Sequence, residues 1–133
     1  PTHHRLSAEQ VRRVRAQYPN APFVAHPECR PEVIDLADTV RSTSGIIEYC
    51  KTVDADTVII GTEEGLLHRL RQDSPAKTFV LAAEQLICPN MKLTTLEDVV
   101  EALEDMENVV SVPEATRVRA QQALDRMLQA GRD

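Results

Sequence analysis

The chain has 133 residues, 42% hydrophobic and 27% charged, which suits one globular domain with a hydrophobic core and differs from a disordered segment. Its formal net charge of −6 and its aromatic content of 3% argue against a nucleic-acid partner, because basic and base-stacking side chains are both scarce. No apolar run is long enough to predict a membrane partner, and three cysteines without close spacing favour a reducing, cytoplasmic location.

The N-terminal part of the chain predicts a helix, a strand and a second helix. Ser7 and Gln10 fit a capping box that opens the first helix. A strand is predicted at about residues 22–26, after a proline-rich break. Pro31 suits the first position of the second helix, and apolar residues at helical spacing extend that helix to Val40.

The middle of the chain alternates between the helical and the strand pattern of apolar residues. A third helix is predicted from the apolar stripe of residues 46–53, and the continuous β-branched run of residues 57–60 predicts a strand buried on both faces. A helix carrying residues 66–70 and a strand at residues 77–81 follow. Strands that alternate with helices predict an α/β fold, in which helices cover both faces of a parallel sheet.

The C-terminal part is predicted to be mostly helical. Residues 88–92 form a loop, and Thr94 and Glu97 frame a capping box for the next helix. A short strand is predicted at residues 109–112, and a last helix at residues 114–129.

His26-Pro27-Glu28-Cys29 stands where the first predicted strand ends and a helix is about to begin. Ligands of open α/β sheets bind beyond the carboxyl ends of the strands, so this position favours a site. Residues two apart on a strand share a face, and His26 and Glu28 could therefore act as a general acid/base pair. An equally weighted interpretation is that both side chains lie at the end of the strand without a catalytic role.

Two hydroxyl-rich stretches and two cysteines are open to more than one interpretation. Ser42–Gly45 and Thr62–Gly65 each precede a helix, where hydroxyls and N–H groups can bind an anion, although plain helix capping is commoner. Cys29 and Cys88 both follow predicted strands and could share a zinc or redox role. A buried structural thiol is favoured for each, and core packing for Cys50.

Taken together, these stretches resemble the quinolinate synthase family, the iron–sulfur enzymes of de novo NAD synthesis. The resemblance spans essentially the whole chain, and its motifs are Pro1-Thr2-His3, His26-Pro27-Glu28-Cys29, Ser42-Thr43-Ser44-Gly45, Gly61-Thr62-Glu63-Glu64-Gly65, Cys88-Pro89-Asn90-Met91-Lys92 and Arg126-Met127-Leu128.

The resemblance implies a three-layer αβα sandwich with a short parallel sheet, one of three similar domains in a longer enzyme. Residues 1–6 are then expected to enter from a preceding domain, residues 7–105 to form the αβα domain, and residues 106–133 to form a closing segment. The remaining domains of the same enzyme are the expected protein partner, and the fragment alone is expected to be inactive.

The resemblance also implies a reaction and a cofactor. Iminoaspartate and dihydroxyacetone phosphate are condensed to quinolinate at a [4Fe-4S] cluster, one iron of which stays open as a Lewis acid. Cys88 is implied as a cluster ligand and Glu28 as the catalytic base, with His26 as its partner. The implied substrate-binding residues are Ser42, Thr43, His3 and Met91.

Two residues and one alternative function stay open after this comparison with the family. Arg41 stands where the family commonly has Gly, and the resemblance assigns no role to Glu63. A non-catalytic α/β module that binds an anion or a partner is the main alternative to the enzyme.

Overall fold

A computed structural model of the chain describes residues 2–106 and 109–130. The chain divides into two compact units, Pro1–Lys92 and Leu93–Asp133. The first unit contains a 3₁₀ helix (His3–Arg5), α1 (Ala8–Gln17), β1 (Phe23–Ala25), α2 (Pro31–Ile34), β2 (Thr39–Val40), α3 (Thr43–Thr52), β3 (Thr57–Gly61), α4 (Leu66–Asp73), β4 (Thr78–Leu81) and a 3₁₀ turn (Pro89–Lys92). The second contains α5 (Leu96–Glu104) and α6 (Glu114–Gln129). The predicted boundaries at residues 6 and 105 stay a prediction.

The four strands form one sheet in the order β2-β1-β3-β4, and every neighbouring pair is parallel. Ala25 lies opposite Gly61 where β1 pairs with β3, and opposite Val40 where β1 pairs with β2. The predicted α/β fold with a parallel sheet is confirmed. All four strands therefore end at the same edge of the sheet.

Helices cover both faces of this sheet, because the strand residues alternate between two cores. Phe23, Ala25 and Ile59 face the core that contains residues of α1 and α2. Val24 and Ile60 face the other core, which is completed by α3 and α4. Ile59 and Ile60 of β3 are fully buried, and each contributes about 2 kcal/mol of hydrophobic free energy, so this central strand is strongly held.

The capping box predicted for α1 is confirmed. The Ser7 hydroxyl accepts the Gln10 N–H at 3.3 Å, and the Gln10 side chain accepts the Ser7 N–H at 2.9 Å. The box predicted for α5 is wrong by one residue. Thr95 caps that helix, and the carboxylate of Asp98 accepts the Thr95 N–H at 2.7 Å.

The predicted continuation of the second helix to Val40 is wrong. α2 ends at Ile34, and Thr39–Val40 is strand β2. The Asp38 carboxylate accepts the Phe23 N–H at 2.7 Å, and the Asp38 N–H donates to the Phe23 carbonyl at 2.9 Å. These bonds bring the chain alongside β1, so strand pairing overrides the helical spacing.

The strand predicted at residues 109–112 is wrong as well. These residues carry no regular secondary structure, and Val109 and Val110 are exposed. β-branched residues favour a strand only when a neighbouring strand pairs with them, and the described sheet ends at β2 and β4. Residues 114–129 are confirmed as a helix. Within residues 2–106 and 109–130, no helix is both long and apolar enough for a membrane span.

Gly61 allows the Phe23 ring to pack against the end of β3. A Cβ atom at position 61 would lie 2.7 Å from the ring carbon Cε2. We expect Gly61→Ala to lower the free energy of unfolding by about 1–3 kcal/mol, because the ring must move within a packed core. Urea unfolding measures this loss. Phe23→Leu should relieve part of it, so losses that simply add in the double variant would contradict the explanation.

Candidate functional site

Each of the four strands delivers a candidate site residue to the same edge of the sheet. β1 is followed by His26 and β2 by Arg41 and Ser42, while Thr62 follows β3 and Cys88 lies in the loop after β4. The strand order reverses between β1 and β3, since β2 lies on one side of this pair and β4 on the other. This switch point is where open α/β sheets bind ligands.

His3 connects the loops that follow β1 and β3. Its Nδ1 lies 3.1 Å from Oε2 of Glu28, and its Nε2 lies 3.0 Å from the hydroxyl of Thr62. An ionised Glu28 can only accept, so Nδ1 carries the proton and Nε2 accepts the Thr62 hydroxyl proton. The resulting chain Thr62–His3–Glu28 fixes both the orientation and the tautomer of the His3 ring.

His26 stacks on His3 at the switch point. The two ring centroids are 4.4 Å apart, and the ring planes differ by 10°. The Glu28 N–H donates to Nδ1 of His26 at 3.2 Å, which requires a ring without a proton on Nδ1. Burial lowers the pKa of His26, the nearby His3 lowers it further, and Glu28 opposes both effects. The stacked rings therefore favour a neutral His26.

His3, His26 and Glu28 form one compact group. Their ligand atoms all lie within 4.8 Å of one another. The three were predicted as site residues from separate positions in the sequence, and the fold brings them together. Thr62, predicted only within a stretch that could bind an anion or cap a helix, joins them: it is 4% exposed and its hydroxyl hydrogen-bonds to His3.

Cys88 is half-buried and has a free thiol. Hydrogen bonds from the backbone of Met91, the side chain of Thr2 and the backbone of Asn90 lower the pKa of Cys88 in that order, against burial and the charge of Glu63. A lowered pKa favours the thiolate, the form that binds metals. Thr2 directly precedes His3, so neighbouring residues of one segment contact Cys88 and the histidine group.

Glu63 is a buried carboxylate to which the family resemblance assigns no role. It accepts the N–H groups of Gly65 and Cys88, and it pairs with the ammonium group of Lys92 at 3.2 Å. Burial acts to raise the pKa of Glu63, but the hydrogen bonds from Cys88, Gly65 and Lys92 lower it on balance. Glu63 therefore stays ionised and ties the loop after β3 to the loop that carries Cys88.

The side chains of the predicted substrate-binding residues Ser42, Thr43 and Met91 make none of the described side-chain hydrogen bonds to this network. Among the described residues, the Ser42 hydroxyl meets only Ser44 and the N–H of Gly45, which it caps at 3.4 Å. Met91 is 64% exposed in the turn after Cys88. Nothing in these contacts tests their predicted roles.

Cys29 and Cys50 have the surroundings of structural thiols. Cys29 is 5% exposed and donates to the Gly61 carbonyl at 3.4 Å, while Cys50 is a fully buried residue of α3 that packs in the second core. Burial raises the pKa of both thiols, that of Cys50 to about 11. Raised pKa values disfavour the thiolate that zinc binding requires.

Three cavities lie in the first unit, and none of them is lined by the histidine group. Two cavities of about 440 and 410 Å³ lie at the opposite edge, around Asn20 and Ala55. A cavity of about 510 Å³ lies between α1 and the residues after β4, around Tyr18 and Ala83. All three are separate from the histidine group.

Comparisons with known proteins agree on one family. Residues 1–129 match the family model described as "NadA: Quinolinate synthetase A protein". The chain is 56% identical to a quinolinate synthase of Geobacter sp. (strain M21) and 53% identical to that of Geotalea uraniireducens (strain Rf4), over all 133 residues. It is 51% identical to quinolinate synthase 1 of Methanosarcina acetivorans over 128 residues, or 96% of this chain. The chain spans 42–44% of the length of these relatives.

The environment of His26 predicts how its protonation responds to pH and to its neighbours. We expect NMR titration of the His26 ring to give a midpoint below the ordinary value of 6.5. His3→Gln should raise that midpoint, because His3 lowers the pKa of His26, and Glu28→Gln should lower it further, because Glu28 raises that pKa. Because the folded protein binds this proton less readily than the unfolded chain, the associated stability is complete above pH 6.5 and declines as the pH falls. A midpoint above 6.5 in the unsubstituted protein would contradict this description.

Proposed function

The chain belongs to the quinolinate synthetase A family, and on that premise we propose that it forms part of a quinolinate synthase of NAD biosynthesis. The proposed reaction condenses iminoaspartate with dihydroxyacetone phosphate and gives quinolinate with loss of phosphate and water. The observation that carries the proposal is the group of His3, His26 and Glu28 beside Cys88 at the switch point of the sheet.

We propose Glu28 as the base that removes a proton from a substrate carbon. Its side chain is 68% exposed, so a substrate can reach the carboxylate, and its Oε2 is held by the Nδ1–H of His3. The hydrogen bond orients the carboxylate before the proton arrives. His26, stacked on His3 and neutral, presents its Nε2–H as a donor to the same substrate.

Ser42 and Thr43 are proposed to hold a carboxylate or phosphate group. They open α3, where the first backbone N–H groups lack helical partners and the helix dipole favours an anion. Arg41 directly precedes them and adds a positive charge at the same end of β2. Met91 is proposed to line the site from the turn after Cys88.

The donor set fits one ligand of a [4Fe-4S] cluster. Cys88 supplies a thiol that is accessible and whose lowered pKa favours the thiolate, whereas Cys29 and Cys50 are buried with raised pKa values. We propose that the remaining cysteine ligands come from other parts of the longer enzyme. When bound, a cluster with one open iron supplies a Lewis acid at this edge of the sheet.

The remaining domains of the enzyme are the proposed partner of this chain. Most of the Glu28 side chain faces solvent, and one cysteine cannot by itself hold a four-iron cluster. We therefore propose that the chain alone is inactive and that further domains enclose the substrates. We also propose a cytoplasmic location, because a reducing compartment keeps the cluster-binding thiols out of disulfides.

The role of Cys88 can be tested in the full-length protein that contains this chain, prepared without oxygen. We expect Cys88→Ser to abolish the iron–sulfur absorbance and quinolinate formation together, because the cluster loses a thiolate ligand. Iron content, sulfide content and product are measured on the same samples. The matched control is Cys29→Ser, which should keep the cluster because that thiol lies in the core.

Other outcomes would favour other interpretations of the site. Activity that survives Cys88→Ser would contradict the ligand assignment while leaving the family intact. Zinc in place of iron and sulfide, lost on substitution of either Cys29 or Cys88, would favour the zinc site. Absence of product from a fully reconstituted protein would favour the non-catalytic binding module.

The role of Glu28 predicts a loss in turnover rather than in cluster content. We expect Glu28→Gln to lower kcat by about 10²–10⁴-fold, the usual contribution of a general base, with iron and sulfide unchanged. Glu32→Gln is the matched control, since Glu32 lies in α2 and meets only Arg30, at 3.9 Å, among the described ion pairs. A turnover unchanged by Glu28→Gln would remove this residue from the mechanism.

A further inference from the structure

A single buried carboxylate holds the loop that carries Cys88. Glu63 is 7% exposed, and its Oε1 accepts the Cys88 N–H at 3.1 Å and meets the Lys92 ammonium at 3.2 Å. Its Oε2 accepts the Gly65 N–H at 2.7 Å. Because Cys88 and Lys92 stand at the two ends of the segment 88–92, one side chain fixes both ends of it.

The surrounding backbone leaves room for this carboxylate and supports the same arrangement. A Cβ atom at position 65 would lie 2.8 Å from Oε2 of Glu63 and 3.3 Å from Nζ of Lys92, so only glycine admits the carboxylate this closely. The Glu64 N–H donates to the Leu86 carbonyl at 2.8 Å, a second link between the loops after β3 and β4. Hydrogen bonds to a buried ionised group are strong, and three of them converge on Glu63.

We propose that Glu63 is a positioning residue for Cys88: its carboxylate fixes the segment 88–92 and so holds the thiol in place for a metal centre. The inference rests on the proposed function, in which Cys88 is a cluster ligand. Metal–ligand distances vary by only about 0.2 Å, so a thiol on a loosened loop binds less well. Glu63 acts through the backbone of Cys88 and through Lys92, without touching substrate or metal.

The experiment compares Glu63→Gln with Glu64→Gln in the full-length, cluster-loaded protein that contains this chain. Glu64 is the matched control: it is the neighbouring residue, half-buried, and its carboxylate meets only Lys92, at 3.6 Å, among the described contacts. Two readouts do not depend on turnover. One is the rate of hydrogen exchange at the Cys88 amide, and the other is the rate of iron release to a chelator.

Glu63→Gln removes the negative charge and the ion pair with Lys92, and it leaves one oxygen and one NH₂ group to face the N–H groups of Cys88 and Gly65. In either orientation of the amide, the bond from the Cys88 N–H is lost or is no longer charge-assisted. We expect the Cys88 amide to exchange about tenfold faster and iron release to accelerate by a similar factor, since a lost hydrogen bond to a charged group has that weight. The electron paramagnetic resonance spectrum of the reduced cluster should also change. Glu64→Gln should match the unsubstituted protein in all three measurements.

Each contrary result has a distinct meaning. Unchanged exchange and iron release in Glu63→Gln would overturn the inference, and so would faster exchange with unchanged iron release and an unchanged spectrum. If Glu63→Gln fails to fold, Lys92→Met tests the same network. It should accelerate iron release, by less than the roughly tenfold expected for Glu63→Gln, and unchanged iron release in this variant would then overturn the inference. Iron retained in full by Cys88→Ser would instead contradict the proposed function itself.

Discussion

The parallel pairing of β1 with β3 is the constraint on which the site depends. Ala25 lies opposite Gly61, and the His26 N–H extends the ladder by donating to the Gly61 carbonyl at 3.1 Å. The two loops consequently leave the sheet side by side, with His26 at the start of one and Thr62 at the start of the other. A shift of this register by one residue would turn the buried residues of β3 to the opposite face, so the packing of two cores fixes the site.

The fold was predictable where one periodicity dominates. The run Thr57–Ile60 is β-branched throughout, and α6 has a long helical pattern, so both were predicted from sequence and confirmed. Prediction failed where a distant partner decides the structure. Residues up to Val40 keep a helical spacing, yet Asp38 binds the backbone of Phe23 and turns Thr39–Val40 into an edge strand. The valines at 109–112 have strand propensity but no adjacent strand in the described sheet.

The candidate site was predictable in its local parts and in the motifs that support the resemblance. His26 and Glu28 follow a short apolar run, a position that by itself points to the ligand edge. The contact of His3 with Thr62 joins residues 59 apart, and that of Glu63 with Cys88 joins residues 25 apart. Such contacts follow from the strand order, and capping signals at Thr62–Gly65 gave no sign of them. The roles assigned to Ser42, Thr43 and Met91 stay predictions.

The two acidic residues at this edge of the sheet differ in what their surroundings leave them free to do. Glu63 is buried and uses both oxygens on fixed donors, so its charge is already neutralised and its proton affinity is low. Among the described residues, only His3 hydrogen-bonds to the carboxylate of Glu28, through Oε2, and most of that side chain faces solvent. A carboxylate whose hydrogen-bond donors are all fixed can keep a loop in place, but it cannot accept a proton without losing some of those hydrogen bonds. The exposed one can exchange protons without disturbing the fold, which is why we assign positioning to Glu63 and proton transfer to Glu28.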